Sequence, residues 1–196
     1  MTSRSERTRA AVLDAAWARL EAGDAGHLED VAADAGVSRQ TVYLHFESRA
    51  GLVLALVEHI DRRLGLYAEI ERVMAIQDPV EQLTAVLDLT AVFEPQVHGM
   101  AMTLHHEAAA DPAIAAAYED RMRHRRGGLH ATLSAIHAQG RLRGDWEVDE
   151  VVDVLWEVQS PTTYDHLVVE RGWSVDRWMQ WVHTLASWFV VPPEEA

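Results

Sequence analysis

Arg39, Gln40, Thr41, Tyr43 and His45 put five polar side chains, nearly all hydrogen-bond donors, into seven residues of the 196-residue chain. Donors packed that densely suit an acceptor-rich surface. A guanidinium such as Arg39 fits the two acceptors on the guanine edge, and an amide such as Gln40 fits adenine. Such residues need a rigid element that turns them all one way. Ser38 is placed to cap a helix over them, its hydroxyl accepting from an orphan backbone N–H. Val42 and Phe46, four apart, give that helix an apolar underside. Just before it, Leu28, Val31, Ala32 and Ala35 recur at i, i+3, i+4 and i+7, the stripe of a helix with one buried face. Glu29 and Asp30 sit in that helix's first turn, where its dipole favours carboxylates. Gly36 can close it in the left-handed conformation. Two short helices, a tight turn and a polar second helix make a helix-turn-helix, a unit that lays its second helix in the major groove.

Other chemistries find less support. The eleven histidines include His98, His105 and His106 close together, and His124, His130 and His137 six and seven apart. None has ligand partners at metal-binding spacing, and HExxH is absent, so no metal is expected. There is no Gly-rich phosphate loop and no nucleophile elbow, so no catalytic residue and no cofactor is expected. Arg121, Arg123, His124, Arg125 and Arg126 form the sharpest basic cluster. Beside Glu119 and Asp120 they read as a solvated helix face.

Composition narrows the classes further. Nearly half the residues are hydrophobic, seven are Trp and none is Cys. Disulfides, thiolate catalysis and Cys-ligated metal are thereby excluded. Arg4, Glu6, Arg7 and Arg9 interrupt any apolar start, and no run approaches the ~20 apolar residues needed to cross a bilayer. A soluble, cytoplasmic protein with no membrane partner is expected. Seventeen Arg and no Lys face 31 acids, a net charge of −14. Residues 1–50 carry six Arg against eight acids, a net of −2. Duplex binding by such a chain must rest on a local patch (Arg4, Arg7, Arg9, Arg39 and Arg49) rather than on net charge.

The elements that surround the motif are helical throughout. Ser3 and Glu6 have capping-box spacing ahead of the stripe Val12, Leu13, Ala16, Trp17 and Leu20. Ser48 caps a fourth helix, whose stripe Val53, Leu56, Val57, Ile60 and Leu64 is expected to continue to about Met74. Asp78-Pro79 and Asp111-Pro112 are N-cap and N1 pairs that start helices. Pro95 is expected to split the segment from 79 to 110, and Gly127-Gly128 to weaken or bend a helix running from 112 to about 139. Residues 140–144 read as a surface turn. Val151, Leu155 and Val158 open the next helix, which Ser160-Pro161 is expected to kink. Gly172 closes it, and Ser174 caps a last helix bearing Trp178, Trp181, Leu185 and Trp188. That aromatic face reads either as core or as the seam of a homodimer.

The run from Val31 through Ala-Gly-Val-Ser (35 to 38) to Tyr43, His45, Phe46 and Ser48 resembles the N-terminal domain of TetR-type transcriptional regulators. The resemblance is specific over residues 4–60 and looser beyond. It implies an all-α fold, with a three-helix DNA-binding domain over 1–47 and a helical effector-binding and dimerisation domain over 48–196. It implies that Arg39, Gln40 and Tyr43 face bases, while Thr41, Tyr43, His45 and Arg49 hold phosphates and Ser38 caps the reading helix. A homodimer would form through 148–190, where Val151, Leu155, Trp178, Trp181, Leu185 and Trp188 are the candidate contacts. A small-molecule effector would enter the body, with Tyr67, Phe93, His98, Met102, His105, Met122, Trp156 and Tyr164 as candidate lining. The function implied is a ligand-responsive regulator, a repressor in the usual case, released from a palindromic double-stranded operator by its effector. The alternative is a helical small-molecule binding protein whose head does not read DNA alone, a reading favoured by the acidic head.

Overall fold

The computed structural model describes residues 3–22, 27–144 and 146–191. The helices are α1 (Arg4–Glu21), α2 (Leu28–Asp34), α3 (Arg39–Phe46), α4 (Arg49–Arg63), α5 (Leu66–Met74), α6 (Pro79–Glu107), α7 (Pro112–Ala138), α8 (Val148–Val158), α9 (Pro161–Tyr164) and α10 (Val175–Phe189). α9 widens without a break into a π-helical turn over Asp165–Glu170. Among the described residues the nearest thing to a strand is one bridge, between Leu142 and Val190. No helix among them is long and apolar enough to cross a membrane. The fold is all-α.

The helix starts follow the caps written in the sequence. Ser3 and Glu6 close a reciprocal capping box. Ser38 accepts from the Thr41 N–H, Ser48 from Gly51 and Ser174 from Arg177. Asp78 Oδ1 accepts from Val80 and Glu81, and Asp111 Oδ1 from Ala113. Each such cap satisfies donors that the helix itself leaves open.

The chain forms two compact units, residues 1–65 with 99–119, and 66–98 with 120–196. In the first, Val12, Leu13 and Ala16 of α1 share a core with Val31, Ala32, Val42, Phe46, Leu56 and Ile60. The end of α6 joins this unit closely. A Cβ on Gly99 would stand 3.0 Å from the Leu20 carbonyl oxygen of α1. In the second unit, Leu83, Leu87, Leu129, Leu133, Val151, Leu155, Trp178 and Val182 build the core, and the buried Trp178 indole donates to the Val158 carbonyl at 2.9 Å.

Four local expectations are corrected. The fourth helix stops at Arg63 instead of continuing to Met74, because Gly65 takes φ +70° and begins a fresh helix, α5. Pro95 does not split its segment; α6 is continuous from Pro79 to Glu107. Proline in a helix interior costs ~3 kcal/mol. Here the ring lies on the exposed side, while its neighbours Phe93 and Glu94 are buried and anchor both turns. α7, by contrast, is the single helix expected there, running from Pro112 to Ala138. The 140–144 segment is more than a surface turn, since Arg141 is buried in an ion pair with Asp78 at 2.6 Å. At Ser160-Pro161 the chain starts a new helix, capped by Ser160.

Candidate functional site

α3 presents the donors that the motif promised. Val42 and Phe46 are buried beneath it, each contributing ~1.5–3 kcal/mol of apolar burial, and α3 packs on α1, α2 and α4. On the opposite side Arg39, Gln40 and Tyr43 are exposed, and Thr41 and His45 are half-buried. The Ser38 hydroxyl is committed to the cap, 3.1 Å from the Thr41 N–H and 2.9 Å from the Thr41 hydroxyl. Arg39 lies over the Tyr43 ring at 5.5 Å and pairs with Glu29 of α2. Leu44, 82% exposed in the middle of α3, has no place in the donor pattern. An apolar side chain there suits a thymine methyl.

The joint between α3 and α4 is unusually tight. Glu47 takes φ +61°, a conformation that costs a non-glycine residue ~1–3 kcal/mol, and the Ser48 N–H bonds the Phe46 carbonyl at 2.6 Å. A Cβ on Gly51 would fall 2.0 Å from that same carbonyl oxygen. Only glycine lets α4 pass this close to the end of α3, so the reading helix is fixed in orientation from both ends. Arg49, at the start of α4, is half-buried and bonds Glu107 through Nε at 3.2 Å and through a second nitrogen.

The candidate lining residues of the body fall in both units. Tyr67 is 54% exposed. Met102 and His105 belong to the first unit, where the exposed His105 packs on Tyr118 at 5.6 Å. In the second unit Phe93 is buried, Met122 and Trp156 are half-buried, and His98 meets Tyr164 at 4.8 Å between ring centres. Around this pair lies a polar cluster that the sequence reading missed. Asp165 accepts from His98 Nε2 at 2.8 Å, and the carboxyl of Glu94 comes within 3.6 Å of His98 Nδ1. Burial alone would lower the pKa of His98, but the nearby carboxyl of Glu94 and the hydrogen-bonded Asp165 together outweigh it and raise it. Burial, with the charge of Glu94 added, raises that of the Tyr164 phenol, which stays neutral. The available signal was the four-residue spacing of Thr90, Glu94 and His98 along one face of α6.

Of the aromatic face considered as core or seam, Trp178 is fully buried, as are Val151 and Leu155 of α8. All three are used in the chain's own core. Trp181 and Leu185 are half-buried and Trp188 is 62% exposed, so the apolar surface left open lies at these three. The basic cluster of α7 is largely answered internally, Arg123 by Asp120 and Arg126 by Asp153. No group of acids and histidines among the described residues is arranged to hold a metal ion.

Comparison with known proteins agrees with this geometry. Residues 12–56, which span α1 to α4, match the family model of bacterial regulatory proteins of the tetR family. The HTH-type transcriptional repressor LfrR of Mycolicibacterium smegmatis is 34% identical over 116 residues, and the chain spans 59% of that relative's length and matches it over 58% of its own. Two solved structures share the fold over nearly the whole chain. One is a transcriptional regulator from Saccharomonospora viridis in complex with choline (TM-score 0.79, 23% identity, 94% of this chain and 98% of that one). The other is LfrR from Mycobacterium smegmatis in complex with proflavine (TM-score 0.61, 24% identity, 97% of this chain and 100% of that one). Residues 12–56 thus carry the helix-turn-helix region of the tetR family of regulatory proteins, and the chain as a whole shares the fold of the two solved regulators.

Proposed function

We propose that the protein is a cytoplasmic, ligand-responsive repressor that binds a palindromic operator as a homodimer and leaves it when a small molecule occupies the body. The observation that carries this reading is the exposed donor row of α3, held on a buried underside and locked by the Gly51 joint. In this reading residues 1–47 form the reading head and residues 48–196 the effector and dimerisation domain. Arg39, Gln40 and Tyr43 read bases. Thr41, Tyr43, His45 and Arg49 position phosphates, which carry no sequence information. Trp181, Leu185 and Trp188 supply the partner-facing surface, and a two-fold dimer matches the symmetry of a palindrome. The relatives solved with choline and with proflavine support a small-molecule effector.

Release needs only that the effector favour one of two dimer states. A coupling of ~1–3 kcal/mol gives a switch of some 5- to 150-fold. The test is anisotropy of a labelled random-sequence duplex pool titrated with purified protein at two salt concentrations. Binding that weakens with salt, and weakens further in Arg49→Ala, is expected. Failure to bind duplex at either salt concentration would favour a small-molecule binding protein whose head is silent alone.

A further inference from the structure

Along the inner face of α6, Thr90, Glu94 and His98 stand one turn apart and face the segment from 158 to 165. The outer two have partners there. The Thr90 hydroxyl donates to Gln159 Oε1 at 2.9 Å, and His98 Nε2 meets Asp165 at 2.8 Å. Glu94 lies between them, only 2% exposed, and its Oε1 has no hydrogen-bond partner. His98 Nδ1, also without a partner, stands 3.6 Å away, too far for a hydrogen bond. A buried carboxylate oxygen left in this state is costly, because desolvation is not repaid by a donor.

One cation of the chain already approaches it. Arg125 of α7 places Nη1 3.8 Å from Glu94 Oε2 and its guanidinium 5.7 Å from the centre of the Trp156 ring. A positive group between an aromatic face and a buried carboxylate is the arrangement by which proteins hold organic cations. The Arg125 side chain is itself 30% exposed, so it enters from the solvent side and can leave by a change of rotamer. We propose that Glu94 is the charge-selecting acceptor of the effector site, that the effector is an organic cation, and that the Arg125 guanidinium holds the cation's place in the free protein. The proposal rests on the reading of the body as an effector domain.

An anionic ligand would use the same neighbourhood in the opposite sense, pairing with Arg125. Of the two unpartnered atoms, the Glu94 oxygen is the more deeply buried and belongs to a carboxylate, which favours the cation. Binding is measured by calorimetry on the full-length protein with tetramethylammonium, benzyltrimethylammonium and ethidium. Neopentylbenzene serves as the uncharged isostere of the second, and benzoate as the anion. At least one cation should bind while isostere and anion do not, and Glu94→Gln should weaken it ~10-fold or more, the scale of one lost charge-assisted contact. Arg125→Ala should tighten cation binding, since it removes the internal competitor; an anion site predicts the reverse. Should Glu94→Gln fail to fold by circular dichroism, the Arg125→Ala result decides alone. Preference for isostere or benzoate, or weaker cation binding in Arg125→Ala, overturns the proposal but leaves the effector reading standing. Binding of no compound in any class counts against both.

Discussion

Arg49, the first residue of α4, and Glu107, the last residue of α6, are joined by a two-pronged ion pair. The residue proposed to hold a phosphate beside α3 therefore already has an anion. Glu107 also sits at the negative end of its helix dipole, where a carboxylate is disfavoured unless a cation answers it. Both side chains are about a third exposed, so the pair contributes at most ~1 kcal/mol to stability. Its larger effect is on DNA, because phosphate and Glu107 compete for one guanidinium.

Glu107→Gln is accordingly expected to strengthen binding to any duplex and to steepen the salt dependence by up to ~0.9 in log–log slope, one phosphate contact's share. Anisotropy titrations over a series of salt concentrations read this directly. A slope and affinity equal to those of the unmodified protein would mean that Arg49 never leaves Glu107.

Glu29 bears in the same way on Arg39, the residue proposed to read a base. Glu29→Gln should raise affinity for the preferred sequence and for random duplex alike. Arg39→Ala should instead narrow the gap between them, by the ~1–3 kcal/mol of one bidentate base contact. If Arg39→Ala lowers both affinities equally, Arg39 is a phosphate contact and its assignment as a base reader fails.

The joint between α3 and α4 makes a prediction about stability. Gly51→Ala drives a methyl group into the Phe46 carbonyl oxygen, 2.0 Å away. Backbone must shift, so a loss of ~3 kcal/mol or more is expected in denaturant unfolding. Glu47→Gly, which relieves the positive φ, should gain ~1 kcal/mol. Equal stability of Gly51→Ala and the unmodified chain would contradict the geometry of the joint.

His98 makes the body's stability depend on pH in a definite direction. Its pKa is raised in the folded chain above the ordinary value near 6.5. The stabilisation it provides is then complete below about pH 6.5 and is lost as pH rises through the folded value. The stability difference between the unmodified protein and His98→Gln, taken from melts across pH 6 to 9, should shrink as pH climbs. A difference that grows with pH would show that the neutral imidazole is the favoured form.

Trp188 tests the assembly. With 62% of its surface open, Trp188→Arg costs the chain itself little. It should shift the protein to monomer in light scattering at micromolar concentration and abolish tight operator binding. A dimer unaffected by Trp188→Arg would place the interface elsewhere.

The reading head was legible because its signals are local. Caps such as Ser38 and Ser48, the stripe of α2 and the closing Gly36 act within a few residues, and they define both the motif and its exposed face. The break after Arg63 is equally written, in Gly65, but the apolar periodicity that resumes beyond it hides it. Pro95 misled for the opposite reason, since packing of Phe93 and Glu94 overrides a local preference that only a three-dimensional neighbourhood can offset. The cluster of Glu94, His98 and Asp165 joins residues almost seventy positions apart through a π-helical turn that no local pattern announces. For the same reason no spacing distinguishes the buried Trp178 from the open Trp188, which lie on one helix.

The central claim is that α3 reads sequence as one of a symmetric pair. Selection of bound duplexes from a random library by the purified protein, at low and at moderate salt, tests it most directly. The account predicts recovery of an inverted repeat whose half-sites lie about one helical turn, ~34 Å, apart, with enrichment lost in Arg39→Ala. Recovery of unrelated sequences, or of none even at low salt, would contradict it.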